Sequence, residues 1–256
     1  MGDLLFDCGR GVLMRAAAAS SGAGAIRGLF LTHLHSDHLT DFNDVFTMRW
    51  VMSPVSNPLP VFGPTGTAVL VQATEAMLEP DIRYRIAHHD DLRWGPSAEV
   101  TEVEAGVILD QGTVRVTAAP TDHAPVRPTV GYRVDDGEHS VVIAGDTVPC
   151  AGLDQLCAGA DVLVHTVVRR DLIEQFGLPR LTDVLDYHSS VPEAAETAER
   201  NGVGTLVLTH LVPAPAPGTE QEWMDQAATK FDGTVLLASD LMTIEVTTSG
   251  KPVGRS

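Results

Sequence analysis

Apolar residues in this chain fall into short runs that are bounded by glycine, proline or charged residues. Short runs rich in valine, leucine and isoleucine are typical of buried β-strands. They predict strands at residues 3–6, 28–32, 60–62, 113–118, 129–134, 140–144, 162–165, 205–209, 235–238 and 243–246.

Helical spacing of apolar positions predicts helices between several of these strands. The predicted helices cover residues 11–19, 67–77, 153–157, 192–201 and 220–231. Ser190 and Glu193 have the spacing of a capping box at the start of the fourth helix, and Gly202 can end it in the left-handed conformation. The prolines at 54–64 and 213–217 indicate loops.

The alternation of strands with helices predicts a mixed α/β fold, in a single domain that spans residues 1–256. Four predicted strands run into side chains that can bind a metal ion: His33, His123, Asp146 and His210. Because strand ends meet at one edge in layered α/β folds, we expect these side chains to build one site.

The segment from His33 to His38 carries the densest chemical signal. It reads His-Leu-His-Ser-Asp-His, which places four ligand-type side chains within six residues. His33 and His35 can face one cation, while Asp37 and His38 project elsewhere toward a second. Imidazole nitrogen and carboxylate oxygen suit zinc, and also iron or manganese. A solvated histidine loop is the alternative, but so dense a cluster favours a metal site.

The net charge of −17 is the informative part of the composition. An acidic surface repels the phosphates of nucleic acids and anionic lipids, so we expect neither nucleic acid nor a membrane as partner. Three cysteines without framework spacing disfavour a disulfide scaffold. With no signal-peptide pattern and no apolar stretch of about 18 residues, the sequence predicts a cytoplasmic protein.

A series of short motifs follows the histidine-rich segment in a fixed order. They are His123 ahead of Gly131-Tyr132-Arg133, then Gly145-Asp146-Thr147, His188-Ser189-Ser190, Leu208-Thr209-His210 and Ala238-Ser239-Asp240. With the Leu-Phe-Asp-Cys-Gly segment near the start, the set resembles the metallo-β-lactamase superfamily, and within it the ribonuclease Z-like and arylsulfatase-like branch. The resemblance covers nearly all of the chain from Leu4 onward and implies a four-layer αβ/βα sandwich.

The resemblance also implies two divalent metal ions, most commonly zinc, with manganese or iron as alternatives. It implies a first ion held by His33, His35 and His123, and a second held by Asp37, His38 and His210, with Asp146 bridging the two. Two such cations would lower the pKa of a shared water and supply hydroxide near neutral pH.

Two residues are implied to take part in catalysis. Asp37 would orient the nucleophile in addition to binding metal. His188 would protonate the leaving group or stabilise the transition state, as the matching histidine does in the similar family. A capping-region histidine beside Ser190 is the alternative for His188.

Three further positions are weaker candidates. His165 lies where the similar family reads His-Glu, but Thr166 replaces that glutamate, so His165 either supports the site or simply packs. Asp240 either hydrogen-bonds a ligand histidine or is a turn residue. The run 88–91, His-His-Asp-Asp, is interpreted as a solvated loop.

Two features depart from the family. The strands that usually precede the Leu-Phe-Asp-Cys-Gly segment are not expected in this sequence, either because its start is truncated or because the first sheet has an unprotected edge. Ribonuclease Z enzymes carry a long tRNA-gripping insertion, whereas here only residues 134–144 separate the Gly-Tyr-Arg and Gly-Asp-Thr motifs, as an acidic hairpin. Together with the net charge, this hairpin argues against tRNA as the substrate.

The sequence therefore predicts a binuclear-metal hydrolase that cleaves a small phosphodiester or sulfate ester, with that small molecule as its partner. The alternatives are a lactonase or β-lactamase-like carbonyl hydrolase, a tRNA 3′-end processing endonuclease, an iron-dependent redox enzyme and a metal-binding family member without catalysis. A homodimer is compatible with the sequence. Segments 41–64 and 167–187 are expected to be loops that wall the pocket.

Overall fold

The structure, a computed structural model, describes residues 3–246 and 253–255, the last three by their backbone alone. The chain divides into two compact units, Met1–Val103 and Glu104–Ser256. Each unit has its own sheet and its own hydrophobic core, and each is described separately below.

The first unit is built on a four-stranded parallel sheet in the order β1-β2-β3-β4. Its elements, in chain order, are β1 Asp3–Phe6, α1 Val12–Ala18, β2 Ile26–Phe30, α2 Ser36–Leu39, α3 Phe42–Val51, β3 Leu59–Gly63, α4 Thr67–His88 and β4 Ala98–Glu102. Parallel strands need crossover connections, and the helices between these strands supply them.

The core of the first unit lies between this sheet and the helices. Leu29 and Leu31 of the β2 segment and Val61 of β3 are fully buried, and they belong to one apolar cluster with Phe42 and Phe46 of α3. The buried positions of α3 recur at helical spacing, which is why this stretch forms a helix and not a loop.

The second unit is built on a seven-stranded mixed sheet in the order β11-β10-β9-β8-β7-β6-β5. Its elements are β5 Gly106–Gln111, β6 Val114–Pro120, β7 Val130–Asp135, β8 Ser140–Ile143, α5 Ala151–Cys157, β9 Val162–Val168, α6 Arg170–Gln175, α7 Pro179–Asp183, α8 Val191–Arg200, β10 Thr205–Val212, α9 Glu220–Ala228, β11 Thr234–Leu237, β12 Thr243–Glu245 and β13 Val253–Arg255. Strands β5 to β8 are antiparallel neighbours, and β8 to β11 are parallel.

The core of the second unit is formed by the parallel strands and by helices α5, α8 and α9. Leu163, Leu206 and Leu208 on the strands and Trp223 on α9 are all fully buried in it. Helix α8 begins with the predicted capping box, in which the Glu193 carboxylate accepts hydrogen bonds from the Ser190 backbone amide and hydroxyl. Gly202 follows this helix with φ +66°, as predicted.

The predicted mixed α/β class is confirmed. Every predicted strand is also present, and its bounds agree with the prediction to within two or three residues. Helix α4 runs on to His88 although Pro80 lies inside it, so the predicted end at residue 77 is wrong. Segments 41–64 and 167–187 were expected to be loops, but they contain α3, and α6 with α7. Strands β4 and β5 were missed. Strand β4 carries no apolar run, and the apolar run of β5, residues 107–109, is short and only partly buried.

Across the described ranges 3–246 and 253–255, no helix is long and apolar enough to cross a membrane.

Candidate metal centre

The histidine-rich segment follows strand β2 of the first unit. His33 is fully buried, and α2 begins directly after His35, so that it carries Asp37 and His38. His33 Nε2 lies 3.1 Å from His35 Nδ1, and the His33 and His38 rings lie 4.1 Å apart. The segment thus gathers ring nitrogens on a short, partly buried turn.

Asp7 orients two of these histidines from the end of β1. Its carboxylate Oδ2 lies 2.7 Å from His38 Nδ1 and accepts a hydrogen bond of 2.9 Å from the Thr32 hydroxyl. The Thr32 hydroxyl in turn lies 3.0 Å from His33 Nδ1. With the Nδ1 atoms engaged in this way, the Nε2 atoms of His33 and His38 are left to bind a metal ion. Sequence reasoning missed this role of Asp7.

The backbone around Asp7 is built to keep this arrangement close. Asp7 has φ +56°, in the left-handed region, and a Cβ at Gly9 would collide with the Asp37 carbonyl oxygen. The Cys8 amide donates to the His38 carbonyl at 2.7 Å. Burial and the neighbouring Asp7 and Asp41 raise the pKa of the Cys8 thiol, which disfavours its thiolate form.

In the second unit, His123, Asp146 and His188 form a buried cluster. His123 follows β6 and Asp146 follows β8, and their exposed fractions are 0% and 2%. His123 Nδ1 lies 2.7 Å from the Tyr187 carbonyl oxygen and donates to it, which leaves Nε2 facing Asp146 Oδ2 at 3.9 Å. His188 Nδ1 lies 2.9 Å from the Val184 carbonyl oxygen, and its Nε2 lies 3.2 Å from the same Asp146 oxygen.

The sequence predicted that His210 would follow the end of its strand. In the structure His210 lies within β10. The β9–β10 register is irregular between Thr209 and Val212, and His210 has φ +49°. This conformation is uncommon for a residue with a side chain, and such strain concentrates at functional sites. The His210 and His188 rings lie 6.3 Å apart, so His210 belongs to the same region of the second unit.

The donor sets of both units fit divalent metal ions. Candidate ligands are His33, His35, Asp37 and His38 in the first unit and His123, Asp146 and His210 in the second. Two nitrogens on one tetrahedral zinc lie roughly 3.3 Å apart, and the His33 Nε2 to His35 Nδ1 distance of 3.1 Å is close to this. The oriented imidazoles and the buried carboxylate are the groups that zinc, manganese and iron bind.

The weaker candidates have different environments. Strand β9 continues past His165 to Val168, and burial lowers the pKa of His165 to about 4, so its ring is neutral at physiological pH. His165 Nδ1 donates to the Thr166 carbonyl at 2.7 Å, while the Thr166 hydroxyl donates to Gly145 at 2.9 Å. Asp240 is exposed, and residues 88–91 are exposed, as expected for a solvated segment.

A cluster of histidine and aspartate side chains on a two-sheet α/β fold is typical of metal-dependent hydrolases with the metallo-β-lactamase fold. The family model of the beta-lactamase superfamily domain matches residues 3–211. The chain is 54% identical over 244 residues to Ribonuclease Z of Mycolicibacterium gilvum, covering 94% of this chain and 85% of that protein. It is 55% identical over 244 residues to Ribonuclease Z of Mycobacterium avium, covering 94% of this chain and 87% of that protein.

Solved structures share the fold. The metallo-beta-lactamase fold protein YhfI of Bacillus subtilis superposes with a TM-score of 0.68 at 24% identity, over 99% of this chain and 88% of that one. Human tRNase Z, short form, gives a TM-score of 0.67 at 23% identity, over 94% of this chain and 87% of that one. The chain belongs to the metallo-β-lactamase superfamily and, within it, to the ribonuclease Z family.

This membership corrects the predicted partners. The sequence was taken to disfavour nucleic acid and to favour a small ester as substrate, but the relatives at more than half identity are named for cleaving RNA. The prediction failed because it used the average charge of the chain and the lack of one insertion, and neither describes the surface that meets the substrate.

Proposed function

We propose that this protein is an endoribonuclease that cleaves a phosphodiester bond in tRNA precursors at the 3′ side of the tRNA. The identity to proteins named Ribonuclease Z, which extends over 94% of the chain, carries this proposal. The histidine and aspartate side chains described above support it, because they match the ligand types that a metal-dependent phosphodiesterase needs.

We further propose that the candidate ligands bind two metal ions. His33, His35 and His123 would hold one ion, Asp37, His38 and His210 the other, and Asp146 would bridge them. Bound ions would act as Lewis acids. They would also lower the pKa of a bound water molecule, so that hydroxide becomes available near neutral pH. Zinc is the ion that this donor set suits best, with manganese or iron as alternatives.

The protein residues have separate tasks in this proposal. Asp7, Thr32 and the Tyr187 carbonyl hold three of the histidine rings, so that their Nε2 atoms point away from the groups that orient them. The Val184 carbonyl holds His188 by its Nδ1 atom. His188 Nε2 would then donate a proton to the leaving oxygen of the RNA chain, and Asp37 would orient the attacking water.

The short hairpin at residues 136–139 bears on how RNA is bound and not on whether it is cleaved. In this hairpin the Asp136 carboxylate accepts hydrogen bonds from the Glu138 and His139 amides, so that it forms a tight acidic turn. The turn is too short and too negative to grip a phosphate backbone. We therefore place RNA binding elsewhere on the chain.

A tRNA precursor with a 3′ trailer tests the proposal. The metal-loaded protein should release the trailer, and His188→Ala should keep its metal content while its turnover falls about 10²- to 10⁴-fold. Asp146→Ala should lose metal and activity together.

No cleavage of the precursor by the metal-loaded protein, combined with turnover of bis(p-nitrophenyl) phosphate, would contradict the RNA substrate. Metal loss in the His188 variant would contradict the role of His188.

A further inference from the structure

RNA is commonly bound by basic groups that contact its phosphates. Single-stranded RNA can instead be held by stacking of its bases on exposed aromatic side chains. Within the described part of the chain, two aromatic side chains are more than half exposed, Tyr84 at 66% and Phe176 at 54%. Their surroundings differ, and only one of them is linked to catalytic-site residues.

Phe176 lies on a segment that we call the strap, residues 170–187. The strap consists of α6, α7 and a short 3-10 turn, Val184–Asp186. Ile173 and Leu185 are buried and pack with Val168, which anchors both ends of the strap in a small apolar cluster. Between these anchors, all residues of 174–183, the apex, are exposed.

The end of the strap supports two residues of the candidate metal centre. Its carbonyl groups at Val184 and Tyr187 accept hydrogen bonds from Nδ1 of His188 and Nδ1 of His123, at 2.9 and 2.7 Å. The Tyr187 ring also lies 5.2 Å from the His123 ring. A ligand on the apex would therefore be bound by the same short segment that orients these two histidines.

The apex combines exposed apolar side chains with one cation, Arg180, and its two acidic residues, Glu174 and Asp183, lie at its ends. Leu178 and Leu181 are exposed by 56% and 39%, so they extend the apolar surface of Phe176. Arg180 is exposed, and in the range 3–246 it forms no ion pair. Exposed apolar groups with an available guanidinium match a nucleobase and its neighbouring phosphate.

We propose that the apex of the strap binds the RNA substrate, with an unpaired base stacked on Phe176 and a phosphate beside Arg180. This inference rests on the proposed function, and it names a binding element for that substrate. Tyr84 provides a control, because it is also an aromatic residue that is more than half exposed, on helix α4 of the first unit, where Arg83 lies over its ring.

The test compares steady-state kinetics of the metal-loaded full-length variants on a tRNA precursor and on bis(p-nitrophenyl) phosphate. Phe176→Ala should raise KM for the precursor about tenfold or more, equal to about 1.4 kcal/mol, with a much smaller change in kcat. The loss of kcat/KM should be at least tenfold larger for RNA than for the small ester. Phe176→Trp should restore the wild-type KM and Phe176→Leu should not, whereas Tyr84→Ala should leave both substrates unaffected.

Three outcomes would overturn the inference. An unchanged KM in Phe176→Ala would show that the apex does not touch RNA. Equal losses on both substrates would show that the strap only supports His188. Full rescue by Phe176→Leu would show that an apolar contact, and not base stacking, binds the RNA. If the wild-type protein cleaves no RNA, the proposed function fails and the inference fails with it. If the wild-type protein cleaves RNA, the Phe176 variants test the inference separately from the proposed function.

Discussion

A carboxylate at the end of the first strand organises the histidines of the first unit. Asp7 bonds His38 directly and reaches His33 through the Thr32 hydroxyl. A carboxylate partner fixes the tautomer of a ligand histidine and raises its basicity. We therefore expect Asp7 to contribute to metal affinity through the histidines that it orients.

Replacing Asp7 should weaken metal binding without unfolding the chain. Asn tolerates the left-handed conformation at φ +56°, so Asp7→Asn removes the charge and keeps the backbone. We expect a loss of metal affinity of about 10- to 100-fold, measured by competition with a chelator. Asp91→Asn, in the exposed segment 88–91, is the control and should bind metal as the wild type does. Equal affinities in both variants would show that Asp7 is not needed.

The sequence revealed interactions between site residues only where those residues are close together along the chain. The run from His33 to His38 could be recognised because its ligand groups are neighbours. The bond between Asp7 and His38 joins residues 31 positions apart, and no spacing rule predicts it. The carbonyl partners of His123 and His188 are backbone groups, which the sequence cannot distinguish from any others.

At the level of elements, helix α4 departs most clearly from prediction. Pro80 lies inside it, where proline removes one hydrogen bond and crowds the preceding turn. The helix nevertheless continues to His88. Buried Val71 and Thr74 lie on the part before Pro80, and the part after it is more exposed.

Removing this proline should stabilise the protein. Pro80→Ala restores an amide donor within the helix and should raise the free energy of unfolding by about 1–3 kcal/mol. Pro192→Ala is the matched control, since Pro192 lies in the first turn of α8, where proline is well tolerated. Chemical denaturation measures both variants. A lower stability for Pro80→Ala would mean that the bend is required for packing.

Strand and helix existence could be predicted mostly where burial is continuous. The parallel strands β2, β9 and β10 are buried along most of their length and read as apolar runs. Strand β4 has partly exposed positions throughout, and its pattern Ala-Glu-Val-Thr-Glu gave no signal. Helix α3 was missed because its proximity to prolines at 54–64 favoured a loop reading over its helical spacing.

At the scale of the whole molecule, net charge misdirected the expected substrate. A total of −17 describes long-range repulsion, but binding depends on the few groups that meet the ligand. The relatives named Ribonuclease Z supplied what composition could not. The metal-binding class, in contrast, follows from ligand-rich motifs whose order along the chain was already visible.

The central proposal is that His33 and His123 bind the same metal ion in an RNA-cleaving enzyme. Elemental analysis of His33→Ala, His123→Ala and the double variant tests it most directly, with RNA cleavage measured on the same samples. Residues that share one ion are not additive, so each single variant should lose about the same one ion, and the double variant no more. The claim would be contradicted if the two single variants lost different ions and the double variant lost both. Full metal content in either single variant would also contradict it.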